Sequence, residues 1–238
     1  MLDYLLQIIP TIADGLKVTV SLFCIVWILS IPGGILMAML RLSKLPLVDK
    51  LVDAFVYLMR GTPLMLQLLV VYFGPFFIFG MQITPSYRLK AVLIGFALNY
   101  AAYFAEIYRS GIAAIPVGQY EAARMLGYSK TQTFAYIVMP QVIKRIIPPV
   151  ANETITLVKD TSLAFTLAVA EVFTVTKQLV ASQSSVVPFI VAGGFFLIFY
   201  FFCSFSTLYN GALIFHSRQS FAKTFAEYHH FCELVSHE

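Results

Sequence analysis

Glu121-Ala122-Ala123-Arg124-Met125-Leu126-Gly127-Tyr128-Ser129-Lys130-Thr131-Gln132 is the middle of a long polar stretch, 109–145, in a chain that is otherwise apolar. Read locally, the stretch predicts two short helices. Pro116 can open the first, because the N–H it lacks has no partner at a helix start, and the helix runs to Leu126. Gly127 is placed to cap it in the left-handed conformation, where a side chain is strained. Ser129 and Gln132 have the spacing of a capping box, so a second helix begins there. It carries Phe134, Ile137 and Val138 at i, i+3 and i+4, a stripe able to anchor it, and Pro140 is expected to end it. Two short capped helices make a compact knob, not a floppy linker.

The sequence around the knob is built for lipid. Of 238 residues, 59% are hydrophobic and 12% charged, against about 25% charged in globular chains; mean hydropathy is +0.82. This excludes a soluble domain. A membrane-crossing helix needs about 20 mostly apolar residues, and five segments supply them, at about 16–41, 52–74, 90–110, 146–174 and 186–215. The expected fold is an all-α integral membrane protein of five transmembrane helices, one domain over 1–215, with the knob (111–145) between the third and fourth. Pro32-Gly33-Gly34 in the first span marks a kink or a close helix approach. Gly74-Pro75 is expected to end the second, and Phe76 to Lys90 to form a loop. The first turns of that second span, at Arg60-Gly61-Thr62-Pro63, must lie in the interface or pack on protein.

Lysine and arginine set the orientation, since they concentrate in cytoplasmic loops. With the N-terminus outside, the cytoplasmic side receives Arg41, Lys44, Lys50, Arg60, Arg109, Arg124, Lys130, Lys144, Arg145, Arg218 and Lys223. The outer side receives Lys17, Arg88, Lys90 and Lys177, while Lys159 falls within a span. This bias puts the knob and the C-terminus in the cytoplasm. Met1-Leu2-Asp3 lacks a charged leader region, so a removable signal peptide is not expected. Cys24, Cys203 and Cys232 form no spaced set, and His216, His229, His230 and His237 all lie in the tail 216–238. Neither a metal site nor a catalytic constellation is expected. No G-x-x-x-x-G-K-[ST] run exists, so the chain lacks a P-loop. ATP and Mg, if used, belong to another polypeptide.

Glu121-Ala122-Ala123, Gly127, Ile137 and Met139-Pro140, at their observed spacing, resemble the cytoplasmic "EAA" loop of ATP-binding-cassette importer permeases. The family usually has leucine where Met139 stands. Arg60-Gly61-Thr62-Pro63-Leu64, the run Tyr103 to Ile112, and Lys159-Asp160-Thr161-Ser162-Leu163 resemble the polar-amino-acid branch. The likeness covers about residues 10–200 and stops before the tail, which lacks the Arg-rich ending of that branch. It implies a permease in a bacterial inner membrane, pairing with a second copy or a related permease. It also implies two cytoplasmic ATPases and an extracellular binding protein as partners, with lipid around the spans and no nucleic acid. Glu121 would meet a basic group on the ATPase, the small Ala122 and Ala123 would seat the helix in a groove, and Gly127 and Pro140 would shape the knob.

An ionisable group inside a span is a functional candidate by default. Glu106, Glu153, Lys159 and Asp160 qualify, with Gln67 and Asn99 as polar neighbours. Glu153, Thr156 and Asp160 fall at i, i+3 and i+7, on one helix face. A zwitterionic amino acid needs anions for its ammonium, which Asp160 and Glu153 can supply, and donors for its carboxylate. Thr161, Ser162 or Gln67 can supply those. The alternative is that Lys159 and Asp160 pair with neighbouring helices to hold the bundle. Glu106 with Arg109, and Arg60 with Asp53, read as structural pairs. Two other functions remain open at this point, an ion-coupled secondary amino-acid carrier and a membrane-embedded enzyme.

Overall fold

Lipid offers backbone groups no hydrogen-bond partner, so a chain of this composition must satisfy them within helices or a closed barrel. The computed structural model describes residues 2–43 and 45–205, and among them there are helices and no strands. The tail 216–238 and the end of the last expected span lie outside the described residues. Helix α1 (Leu2–Arg41) is followed by α2 (Pro46–Gly61), α3 (Leu64–Phe79), α4 (Tyr87–Ala113) and α5 (Val117–Met125). Next come α6 (Lys130–Gln132), α7 (Met139–Asp160), α8 (Val172–Gln183) and α9 (Val187–Phe205). A π-helical turn (Thr133–Val138) joins α6 to α7, and a 3-10 segment (Thr161–Leu167) follows α7.

The core forms around α4. Its Phe96, Tyr100 and Phe104 are buried with Leu22 and Val26 of α1, Leu68 of α3 and Leu157 and Val158 of α7. α1 approaches α4 closely at the glycine pair. A Cβ on Gly34 would lie 2.6 Å from the Cβ of Phe104, and one on Gly33 would lie 3.1 Å from that of Ala101. The expected close approach is therefore found. α1 is also longer than its expected span 16–41. Its 40 residues extend about 60 Å at 1.5 Å per residue, about twice the hydrocarbon thickness of a bilayer.

Two expected spans are broken. In place of one helix over 52–74, α2 and α3 meet at 114°. Pro63 precedes α3 and cannot continue α2, because its nitrogen has no hydrogen to donate. α3 also runs through Gly74-Pro75 to Phe79, where Gly80 at φ +66° caps it by donating to the Phe76 carbonyl at 2.9 Å. With α4 starting at Tyr87, the connection is shorter than the loop expected over Phe76 to Lys90. The second break replaces a continuous helix over 146–174. α7 gives way at Thr161 to the 3-10 segment, Ala168 turns the chain at φ +52°, and α8 departs with a 57° bend. Among the described residues, three helices are long and apolar enough to cross a membrane, and five crossings result if each bent pair makes one.

Candidate functional site

The knob is built from local rules. Gly127 adopts φ +78° and donates to the Arg124 carbonyl, while Tyr128 N–H donates to that of Ala123, both at 3.0 Å. These two bonds make a Schellman ending for α5. Ser129 Oγ accepts from the Gln132 amide at 3.3 Å, and Gln132 Oε1 accepts from the Ser129 amide at 2.9 Å. The expected capping box is therefore in place.

The second half of the knob departs from expectation. Pro140 does not end a helix there; it is the second residue of α7. The chain accommodates it by widening first, so that Met139 N–H reaches back to the Phe134 carbonyl in the i→i−5 pattern. The proline then sits where the hydrogen-bond register is already changing, and its missing donor costs less. The wider turn also rotates the anchoring face. Thr133 and Val138, five residues apart, are buried, whereas Phe134 is exposed. Val138 and Val142 pack with Ile115, Ile112, Tyr120 and Ile146, so Val138 is the anchor and Phe134 is not.

Of the residues expected to meet a partner, Glu121 and Ala122 are exposed, but Ala123 is 1% exposed and packs within its own chain. Val117, Met125, Leu126 and Tyr136 instead present a large apolar tip, with Met125 89% exposed. The base of the knob is fastened on both sides. Arg145 Nη1 donates to the Ala114 carbonyl at 2.5 Å, and Gln141 Nε2 reaches Gln119 Oε1 at 3.0 Å. A Cβ on Gly111 would lie 2.4 Å from Ile146 Cγ2, so α4 and α7 touch backbone to side chain just above it.

A polar seam runs between α4 and α7. Tyr100 donates its hydroxyl to Asp160 Oδ2 at 2.7 Å, and its ring lies 6.3 Å from that of Tyr103. The Arg60 guanidinium lies 5.4 Å over the Tyr103 ring. Glu153 is half-buried on the same face of α7 as Asp160. Lys159 leaves the seam and places Nζ 5.3 Å over the Tyr200 ring of α9.

The hydroxyls expected beside Asp160 are engaged locally. Thr161 is fully buried and donates to the Val158 carbonyl at 2.7 Å. The half-buried Ser162 donates to that of Lys159 at 2.8 Å. Gln67 is 8% exposed, and both ends of its amide are engaged. Its Nε2 contacts the carbonyls of Met59 (2.9 Å) and Thr62 (3.1 Å) and the Thr62 hydroxyl (2.8 Å). Its Oε1 accepts from Asn99 at 2.9 Å, and Asn99 also donates to the Met59 carbonyl at 3.0 Å. Thr161 and Gln67 therefore spend their side-chain donors within the chain, where the helices break.

Towards the knob the seam ends in an ion cluster. Glu106 accepts from Arg41 at 2.5 Å and from Arg109 at 2.5 Å and 3.2 Å. Asp53 pairs with Arg41, not with Arg60 as expected. Arg60 is only at the edge of the cluster, 4.0 Å from Glu106. Tyr100 and Glu171 are among the buried residues with polar groups that the sequence does not single out. Tyr100 gives a weak signal, a phenol beside Asn99 in an apolar run; Glu171 gives only an acidic residue three positions ahead of Thr174. Glu171 is fully buried and caps α8, accepting from the amides of Phe173 at 2.6 Å and Thr174 at 2.7 Å. Among the described residues, no group of three His, Cys, Asp or Glu side chains is placed to hold a metal.

Apolar helices, ionisable groups between them and a helical knob fastened to two of them define the class, a helical membrane protein with a polar seam. The chain belongs to the family described as binding-protein-dependent transport system inner membrane component, whose signature matches residues 30–213. It is 34% identical to the nopaline transport system permease protein NocM of Agrobacterium fabrum over 210 residues, 85% of this chain and 87% of that one. It is 35% identical to the arginine transport system permease protein ArtQ of Bacillus subtilis over 193 residues, 81% and 85% of the two chains. Among solved structures, a chain of an amino acid ABC transporter crystallised with histidines superposes with a TM-score of 0.80 at 27% identity, covering 88% of this chain and 96% of that one. A chain of the MetNI methionine ABC transporter shares the fold, with a TM-score of 0.69 at 16% identity and 87% and 98% coverage. Membership in this family of multi-pass inner-membrane proteins weighs against an ion-coupled carrier.

Proposed function

We propose that this chain is the membrane-spanning permease subunit of an ATP-driven importer, carrying a polar amino acid delivered by an extracellular binding protein. Relatives named for nopaline and arginine transport support the cargo class. The observation that carries the mechanism is mechanical continuity. The exposed tip of the knob is fastened through Val138, Val142 and Arg145 to α4 and α7, the two helices that form the Tyr100–Asp160 seam. A push on the tip therefore moves packed helices, because a close-packed interior transmits displacement.

In this reading two cytoplasmic ATPases bind ATP and Mg and seat the knobs of two permeases, this chain and a second copy or a relative. Glu121 and the apolar tip meet the ATPase, and Glu153 and Asp160 face the substrate. The whole of 1–215 forms one permease domain crossing the membrane five times, with the N-terminus outside and the tail in the cytoplasm. The ATPase closes, the knob moves, and the seam changes its access from one side of the membrane to the other.

The test is uptake of radiolabelled amino acids into proteoliposomes holding the full complex, with phosphate release measured in parallel. Gly127→Pro cannot adopt φ +78° and removes the Schellman donor, and Glu121→Lys reverses an exposed charge. Both variants are expected to insert while uptake per ATP hydrolysed falls at least about tenfold in Gly127→Pro, equivalent to about 1.4 kcal/mol of lost coupling. Normal coupled uptake in both would overturn the proposal.

A further inference from the structure

Arg60 is bound less fully than the two arginines beside it, Arg41 and Arg109. It lies in the last turn of α2, at the 114° break, but that break is held by others: Gln67 and Asn99 donate to the carbonyls left open at Met59 and Thr62. Nor is Arg60 needed by the ion cluster. Both oxygens of Glu106 already accept, Oε2 from Arg41 and from Arg109 Nε and Oε1 from Arg109 Nη2. Arg60 stands at 4.0 Å with its side chain 42% exposed. Three arginines thus share two carboxylates, Glu106 and Asp53.

The Tyr103 ring holds the guanidinium by one face, and its N–H groups stay at the rim of the ion cluster with no contact shorter than 4.0 Å to Glu106. From that ring the contacts lead through Tyr100 to Asp160. Glu153 lies within electrostatic reach of both Arg60 and Asp160. Glu153 and Asp160, seven residues apart on α7, are separated by about 10 Å of helix. A fixed guanidinium and two carboxylates therefore border one seam, with opposite charges displaced along it.

We propose that Arg60 recognises the carboxylate of the transported amino acid, while Glu153 and Asp160 receive its amino groups. The pairing is chemically specific, because a planar guanidinium binds a carboxylate through two parallel hydrogen bonds. It also replaces the donors that Thr161 and Gln67 do not provide. This inference rests on the importer reading above and adds to it a demand on the substrate: a free carboxylate is required.

The experiment measures equilibrium binding to the purified permease–ATPase complex in lipid nanodiscs, without the binding protein. The probes are L-arginine, L-histidine, L-glutamine and L-cystine, each beside its methyl ester. For whichever amino acids bind, the wild-type complex is expected to prefer the free acid to the ester by at least tenfold. Arg60→Met is expected to abolish that preference by weakening the free acid alone, and Arg60→Lys to keep part of it. A merely structural arginine would weaken acid and ester alike, leaving the ratio unchanged, and that result overturns the assignment. An equal affinity for acid and ester in the wild type does so without any variant, should Arg60→Met fail to fold. Binding of none of the four acids by the wild type would instead overturn the amino-acid importer reading itself.

Discussion

The two broken helices solve the same problem from opposite ends. Where α2 meets α3, the groups left without partners are acceptors, the carbonyls of Met59 and Thr62, and side-chain amides from Gln67 and Asn99 come to them. Where α7 gives way to α8, the open groups are donors, the amides of Phe173 and Thr174, and the buried Glu171 carboxyl accepts from both. A helix that stops exposes carbonyls and one that starts exposes N–H groups, so each break needs the opposite chemistry. The breaks also differ in what surrounds them. A Cβ at Gly61, beside the first, would meet nothing within 4 Å, whereas one at Gly15 of α1 would lie 3.1 Å from the backbone of Val172 at the second. The α7–α8 break leans on another helix; the outer side of the α2–α3 break is free. The difference teaches that one bend leans on the backbone of α1, whereas the other is held by amides from α3 and α4 and stays open on its outer side.

Substitutions can break or sharpen that contrast, and unfolding of the detergent-solubilised protein by SDS titration reads each one. Glu171→Leu leaves two half-buried amides and the Thr174 hydroxyl without their acceptor, and its expected loss is the largest, roughly 3 kcal/mol. A loss no greater than that of an exposed substitution would show that the second break does not depend on its cap. Gln67→Leu is expected to cost about 2 kcal/mol, because Asn99 still covers the Met59 carbonyl while Thr62 loses its donor. Should Asn99→Ala alone cost more, the amides have the reverse order of importance. Gly15→Ala is expected to cost about 1 kcal/mol, since the new methyl must displace backbone at Val172. At the other break Gly61→Ala is expected to change stability by less than about 0.5 kcal/mol. Equal effects of the two glycine substitutions would erase the distinction between a bend that leans on α1 and one that does not.

What could be read in advance follows the range of the forces involved. The knob was legible because its caps act over a few residues: Gly127 and Ser129 announce their own conformations. Pro140 misled for the same reason, since a local rule forbids a proline inside a helix and cannot see that a π turn will prepare a place for it. The spans were legible as apolar lengths, but their breaks were not, because the bends at Thr62-Pro63 and Thr161–Leu167 depend on backbone geometry that apolar length does not encode. Gln67 shows only its polarity in the chain, not the partners that engage its amide. Its partner Asn99 lies on another helix, and only packing brings them together. The same holds for Tyr100, whose hydroxyl became significant when Asp160 arrived opposite it. Asp160 and Glu153 could be placed on one face by periodicity alone, and the structure keeps them there.

The Gly33–Gly34 pair carries a consequence for the order in which the protein is made. The indentation in α1 that receives Ala101 and Phe104 is synthesised first and leaves the ribosome while α4 is still unmade. Until α4 enters the bilayer, lipid chains or another helix must occupy that hollow, because it has no side chain of its own to fill it. Assembly of the core therefore waits on a non-local docking event, α4 displacing a temporary occupant from α1. Enlarging Gly34 would act at that moment, by closing the berth before its helix arrives, and its first symptom would be a newly inserted chain handed to proteolysis.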